Sequence, residues 1–283
     1  MADRKLDMGK AWTQATGLIG SNRDSISAVA GLFFFLPTFA ISLFVPELAN
    51  PAPPSPAPGG NPEAVLDAMM TQISAAYAEN WALILATMLV QFVGSMSLFA
   101  LLSDRGNPTV GEALGTGLKS IPAYVAAQLL SALGAAVVVG VPLGILAALT
   151  PPAVTLLAAV LAMVVIIYLA IKFSLTAPVI AIEGTTNPIT ALLRSWRLTK
   201  GNSFRILLFL ALLLFTIGII SALVSGLLSL VLSAIGEPVA TLGNDIVSAL
   251  INALLTVVFL VVTVAIHRQL AGPTTASLAA TFE

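Results

Sequence analysis

A chain of 283 residues of which only 9% are charged and 58% hydrophobic, with a mean hydropathy of +1.01, lies outside the range of soluble globular domains. Twelve Lys and Arg against thirteen Asp and Glu leave a formal charge of -1, so there is no overall attraction to nucleic acid. With no cysteine and one histidine, the chain has neither a disulfide framework nor the ligands of a typical zinc site.

The charged opening "MADRKLDMGK" is followed by an apolar run that starts more than twenty residues into the chain, which suits a retained anchor better than a cleaved secretory signal. Six apolar runs are long enough to cross a hydrocarbon core of roughly 30 Å as helices. They fall at about 26–45, 81–102, 121–149, 153–179, 206–235 and 246–266. The fifth is long enough to tilt, or to break near Ser225 and Gly226. No run shows the alternation of a barrel strand, and backbone groups in lipid must be satisfied within their own segment, so helices are predicted throughout.

Between the first two runs lies an insert, 46–80. Its proline-rich first part, 46–62, reads as an extended tether. From Asn61, a helix cap followed by Pro62, the pattern turns helical, with Leu66, Met69, Met70, Ile73 and Tyr77 on one face and Glu63 and Asp67 facing water. A surface helix packed on the spans by its apolar face is expected, the alternatives being a face that lies on the bilayer, covers the outer opening of the bundle or contacts a partner.

All basic residues fall on one side of a six-span arrangement. Arg4, Lys5, Lys10 and Arg23 precede the first span, and Arg105 and Lys119 join the second to the third. Lys172, Arg194, Arg197, Lys200 and Arg205 flank the connection from the fourth to the fifth, and Arg268 follows the sixth. The other side carries Glu47, Glu63, Asp67, Glu79, Glu237 and Asp245 and no Lys or Arg. The excess of Lys and Arg on cytoplasmic loops predicts both termini in the cytoplasm, and one span more or fewer would scatter the basic residues over both faces.

Three segments on the basic side share one spacing: Met8, Ala11 and Trp12; Val110, Ala113 and Leu114; Ile189, Leu192 and Leu193. Each is followed by a breaker, Asn22, Pro122 or Gly201-Asn202, and then by a hairpin of two spans. The predicted fold is therefore an all-α integral membrane protein, six transmembrane helices arranged as three repeats of an interfacial amphipathic helix plus a transmembrane hairpin. Gly140 and Gly144, around Pro142, suggest close helix approach, and Pro37 a kink.

No ionisable residue lies at mid-depth, which argues against a proton-coupled pump. Gln91, Gln128 and Asn252 are the polar residues nearest to it, and the alternative of a permease or export component for a small solute or peptide calls for a continuous polar cavity lined by Gln91, Gln128 or Asn252. His267, beside Arg268 at the end of the last span, is expected to be an interfacial side chain. Neither a phosphate-binding glycine loop, a carboxylate cluster for a divalent cation nor a nucleophilic triad stands out. A membrane-embedded lipid enzyme would require Glu183, Asp104 and His267 to converge.

The densest cluster of unusual residues is "NPITALLRSWRLTKGNSFRILLFL". On a helix, Ile189, Leu192, Leu193 and Trp196 share a face, while Arg194, Arg197 and Lys200 follow at three-residue spacing on another. This is the pattern of a helix lying in the membrane interface, with Trp at headgroup depth and cations reaching for phosphates. Each cation near an anionic leaflet contributes about 1 kcal/mol, small beside the anchoring supplied by the spans, so the cluster orients the fold or recognises a headgroup or partner. Arg194, Trp196, Arg197, Lys200 and Arg205 are the candidates for that recognition; no catalytic or metal-binding residue and no cofactor is predicted.

The stretch "KFSLTAPVIAIEGTTNPITALLRSWRLTKGNSFRILLF" resembles the bacterial membrane-domain family named after glycerophosphoryl diester phosphodiesterase. The resemblance is carried by a span ending near Pro178, then Glu183-Gly184, Ala191-Leu192, Ser195-Trp196-Arg197-Leu198-Thr199 and Lys200-Gly201 before the next span. Members commonly have about six hydrophobic helices, so the resemblance is expected to cover the chain, with Glu183, Gly184 and Ser195 as motif residues. Some relatives fuse this domain to a soluble phosphodiesterase barrel, whose histidines and metal-binding carboxylates are not found here. The resemblance therefore implies a stand-alone, non-enzymatic protein of the bacterial inner membrane, with a role in lipid or envelope organisation or handling. Membrane lipids, anionic ones among them, and an envelope protein are the implied partners, and nucleic acid is not.

Overall fold

The computed structural model describes residues 5–49, 62–103 and 108–272, and all regular structure among them is helical. Arg4, Asp104, Arg105, the Asn61 cap and most of the proline-rich stretch lie outside the described residues, as do the side chains of Glu63 and Leu66. In chain order the helices are α1 (Met8–Ser21), α2 (Arg23–Ala30), α3 (Leu36–Phe44), α4 (Pro46–Ala49), α5 (Pro62–Glu79) and α6 (Trp81–Leu101). They continue with α7 (Val110–Ala135), α8 (Val141–Leu149), α9 (Pro152–Phe173), α10 (Thr176–Glu183), α11 (Pro188–Thr199), α12 (Ser203–Ile235) and α13 (Val239–Ala271).

Among the described residues, six helical segments are long and apolar enough to cross a membrane: Arg23–Phe44, Trp81–Leu101, Val110–Leu149, Pro152–Glu183, Ser203–Ile235 and Val239–Ala271. Their outward faces are continuous aliphatic surface, as on α9, where Leu156, Leu157, Val160, Leu161 and Val164 are all exposed. In water such surface would aggregate; in lipid it is what the solvent requires. The fifth segment runs through Ser225 and Gly226 as one helix.

Two of the segments contain a π-helical turn immediately before a proline. Gly31–Phe35 precedes Pro37, and Ala136–Gly140 precedes Pro142. In each, the residue just before the proline donates its N–H five residues back, Leu36 to Gly31 and Val141 to Ala136. Proline has no N–H and its ring clashes with the carbonyl four residues earlier, so widening that turn accommodates the ring without breaking the helix.

The interfacial helices differ from a strict repeat. α1 ends at Asn22, whose N–H reaches back to Leu18, and α11 ends before Gly201, whose φ of 79° makes the turn into α12. Pro122, expected to separate the second interfacial helix from its hairpin, instead lies inside α7. That helix starts at a capping box, in which the Thr109 hydroxyl accepts from Glu112 N–H and the Glu112 carboxylate accepts from Thr109 N–H. It then runs into the π turn and α8 as one segment, Val110–Leu149.

By internal contacts the chain divides into two compact units. Unit 1 comprises Met1–Ile26, Ser95–Thr216 and Val258–Glu283; unit 2 comprises Ser27–Gly94 and Ile217–Val257. In unit 1 the core is formed by Met96, Leu98, Phe99 and Leu102 of the α6 end, Leu175 and Val179, Ile206, and Val261, Val262 and Ile266 of α13. α11 packs on α7, α9 and α10. A side chain at Gly117 would meet Ser97, its Cβ lying 2.8 Å from the Ser97 backbone nitrogen, so α6 and α7 touch where neither carries bulk. In unit 2 a Cβ at Gly94 would meet the Phe33 ring at 2.9 Å.

The close approach expected at Gly140 and Gly144 is therefore found elsewhere. At Gly144 an added Cβ would meet nothing within 4 Å, and at Gly140 only its own helix's Ala136. The apolar face of α5 also departs from expectation. Met70 is 69% and Tyr77 53% exposed, and Met69 and Ile73 are exposed as well, so this face is turned away from the spans rather than packed on them.

Candidate functional site

The motif residues meet where α9, α10 and α11 end or begin. α10 stops at Glu183 because Gly184 takes a left-handed φ of 72°, a conformation that costs glycine nothing. Asn187 then starts α11: its Oδ1 accepts the N–H groups of Ile189 at 3.0 Å and Thr190 at 3.2 Å, and Pro188 occupies the first helical position. The turn of α11 is set by its buried face, where small Ala191, Ser195 and Thr199 lie beside apolar Leu198. Ser195 is fully enclosed and donates to the Lys172 carbonyl at 2.7 Å, which ties α11 to the last turn of α9.

This register decides the other faces. Ile189 and Leu193 are 58% and 52% exposed, and Arg197 and Lys200 are exposed beside them. Trp196 is half-buried, edge-on to Tyr168 at 5.9 Å and tilted against Phe173 at 5.7 Å. Arg194 turns inward: its Nε donates to both Glu183 oxygens, at 3.1 and 3.2 Å. Arg205 reaches the Leu6 carbonyl at 3.3 Å. Of the five recognition candidates, Arg197 and Lys200 are thus presented outward, while Arg194, Trp196 and Arg205 also serve contacts within the protein.

His267 is not the interfacial side chain expected from its position. Only 3% exposed, it lies with Nε2 3.1 Å from Glu183 Oε1. A carboxylate only accepts, so Nε2 carries the hydrogen, and Nδ1 is buried with no partner among the described residues. Its neighbour Arg268 donates to the Leu102 carbonyl. Glu183 is consequently the meeting point of α10, α11 and α13. Two of the three residues required for an embedded lipid enzyme do converge, and Asp104 lies outside the described residues. The contact works as a tie, since the carboxylate is engaged by Arg194 and the imidazole is enclosed.

Two features of this end had no counterpart in the sequence reading. Residues Leu6 and Asp7 form a strap: Leu6 N–H donates to Asn202 Oδ1 at 2.8 Å, and Asp7 exchanges two hydrogen bonds with the Gln269 side chain, both at 3.1 Å. The second is the setting of Lys172, visible in sequence only as a flanking charge. Its side chain is 4% exposed, and its ammonium lies 5.2 Å from the Trp196 ring centre and 5.4 Å from that of Tyr168. It makes no hydrogen bond or ion pair among the described residues. A ring face returns about 0.5 to 2 kcal/mol to a cation, whereas burying an ammonium costs several kcal/mol. A lysine four residues after a tyrosine at a span end was the available signal.

Gln91 hydrogen-bonds Thr38 at 3.4 Å, whereas Gln128, which donates to the Tyr124 hydroxyl, and Asn252 are exposed. Among the described residues no group of three or more His, Cys, Asp or Glu is placed to hold a metal ion.

Six apolar helices, with an Arg-Glu-His contact and an aromatic-caged lysine gathered at helix ends, define a polytopic membrane domain. Residues 139–271 match the family described as the membrane domain of glycerophosphoryl diester phosphodiesterase. The match contains Lys172, Glu183, every residue of α11 and His267, and it extends the resemblance of 172–209 on both sides. It covers slightly less than half of the chain rather than all of it. The matched family is a membrane domain and not a catalytic one. Neither a curated protein nor a solved structure matches the chain.

Proposed function

We propose that this polytopic membrane protein is a non-enzymatic component of the bacterial inner membrane that organises or handles lipid, or an envelope partner, through α11 and the helix ends around it on the cytoplasmic side. The observation that carries the reading is the outward face of α11, where exposed Ile189 and Leu193 adjoin exposed Arg197 and Lys200 with Trp196 at their edge. An apolar strip bordered by cations and an amphipathic ring suits the boundary between acyl chains and phosphates.

The test is lipid co-purification in mild detergent, read by native mass spectrometry, on Arg197→Gln/Lys200→Gln. Arg194 is left in place, because changing it would also release Glu183. Loss of most co-purified anionic phospholipid with an unchanged melting temperature is expected; retention at the wild-type level removes the reading.

A further inference from the structure

Among the described residues, Lys172 is the only Lys or Arg that is buried, and no carboxylate faces it. Glu183, the nearest acidic residue in sequence, is occupied by Arg194 and His267. The rings of Tyr168 and Trp196 compensate only part of the cost of removing an ammonium from water, and no acidic side chain among the described residues supplies the rest.

Its depth identifies the kind of anion. α9 starts at Pro152, and at 1.5 Å per residue Lys172 lies about 30 Å further on, the thickness of a hydrocarbon core. That is the level at which lipid phosphates begin and where Trp and Tyr collect. The cage is also built: the Ser195 hydroxyl on the Lys172 carbonyl fixes α11 to the end of α9, so Trp196 is held against the lysine by two helices. The Tyr168 hydroxyl and Trp196 indole N–H have no partner among the described residues and add donors at the same corner.

We propose that Lys172, with Tyr168 and Trp196, forms a binding site for one phosphate group, that of a phospholipid headgroup or of a soluble phosphoester. The proposal rests on the lipid-handling reading only for the source of the phosphate; the site shares Trp196 with the outward face of α11 but not its cations, Arg197 and Lys200.

The experiment compares wild type, Lys172→Gln, Lys172→Arg and Arg197→Gln/Lys200→Gln in detergent. Each is titrated with phosphatidylglycerol, with diacylglycerol and with inorganic phosphate, and bound lipid is read by native mass spectrometry. Lys172→Gln should weaken phosphatidylglycerol binding about tenfold, with Lys172→Arg between it and wild type and diacylglycerol unchanged. Failure of inorganic phosphate to displace the lipid assigns a lipid headgroup, and displacement assigns a soluble phosphoester. Equal phosphatidylglycerol binding by wild type and Lys172→Gln overturns the site. Loss in Lys172→Gln alone supports the site and removes the broader reading; loss in Arg197→Gln/Lys200→Gln alone does the reverse. If Lys172→Gln does not fold, Tyr168→Leu at an exposed position replaces it, and unchanged binding there overturns the site.

Discussion

Glu183 illustrates how much one side chain can connect. Its carboxylate is shared by Arg194, eleven residues away in sequence, and His267, eighty-four away, with Glu183 and Arg194 each about a quarter exposed. A pair so placed lies between a surface ion pair and a buried one. A double-mutant cycle on Glu183→Gln and Arg194→Gln, read by thermal unfolding in detergent, should give a coupling of about 1 to 2 kcal/mol. Gly117 makes a second residue-scale prediction. Gly117→Ala should cost about 1 to 3 kcal/mol, because the new methyl meets the Ser97 backbone, while Gly144→Ala should stay within about 0.5 kcal/mol. The motif of Glu183, Gly184 and Ser195 was legible in sequence, but its partners were not. Periodicity relates residues within a turn or two; nothing in it relates residue 183 to 267, or Leu6 to Asn202, and these contacts exist only once the helix ends converge. The same blindness placed close approach at Gly140 and Gly144, where the small residues are obvious, rather than at Gly117, which needs Ser97 from another helix.

The elements obeyed local chemistry wherever local chemistry was complete. Asn187-Pro188 starts α11 and Gly184 ends α10 by the cap rules, the helix running on past the span end near Pro178 that the resemblance implied. Asn187→Ala should remove the acceptor of two N–H groups at the start of α11, cost about 1 kcal/mol, and raise amide exchange at Ile189 and Thr190 before other parts of the helix. Equal protection in the variant would show that packing of Ala191 and Ser195 alone holds that turn. Pro122 is where local reading failed. Proline removes one hydrogen bond, which a flanked helix tolerates, and among the described residues only Pro37 and Pro142 are relieved by a π turn. The helix of the insert between the first two spans was also legible, but not what its apolar face meets, since hydrophobic spacing defines a face without naming its cover. The six long apolar segments were legible because length and hydropathy are properties of continuous sequence.

At the scale of the whole molecule, charge and packing divide the chain in the same places. All twelve Lys and Arg fall within the ranges of unit 1, and Glu47, Glu63, Asp67, Glu79, Glu237 and Asp245, all on the side without basic residues, fall within those of unit 2. The contact-defined division owes nothing to charge, and all the basic residues fall within one of its two units. The proposed orientation, which rests on the positive-inside rule, puts the cytoplasmic end in unit 1, together with α11, the Glu183 tie and Lys172. Because the sequence contains no cysteine, single-cysteine variants can test this without background. Lys10→Cys, Lys200→Cys and Tyr77→Cys, all at exposed positions, would be treated with a membrane-impermeant thiol reagent on intact spheroplasts and again after permeabilisation. Tyr77→Cys should label at once, and Lys10→Cys and Lys200→Cys only after permeabilisation; labelling of Lys200→Cys and Tyr77→Cys from the same side would contradict the six-span, one-sided arrangement.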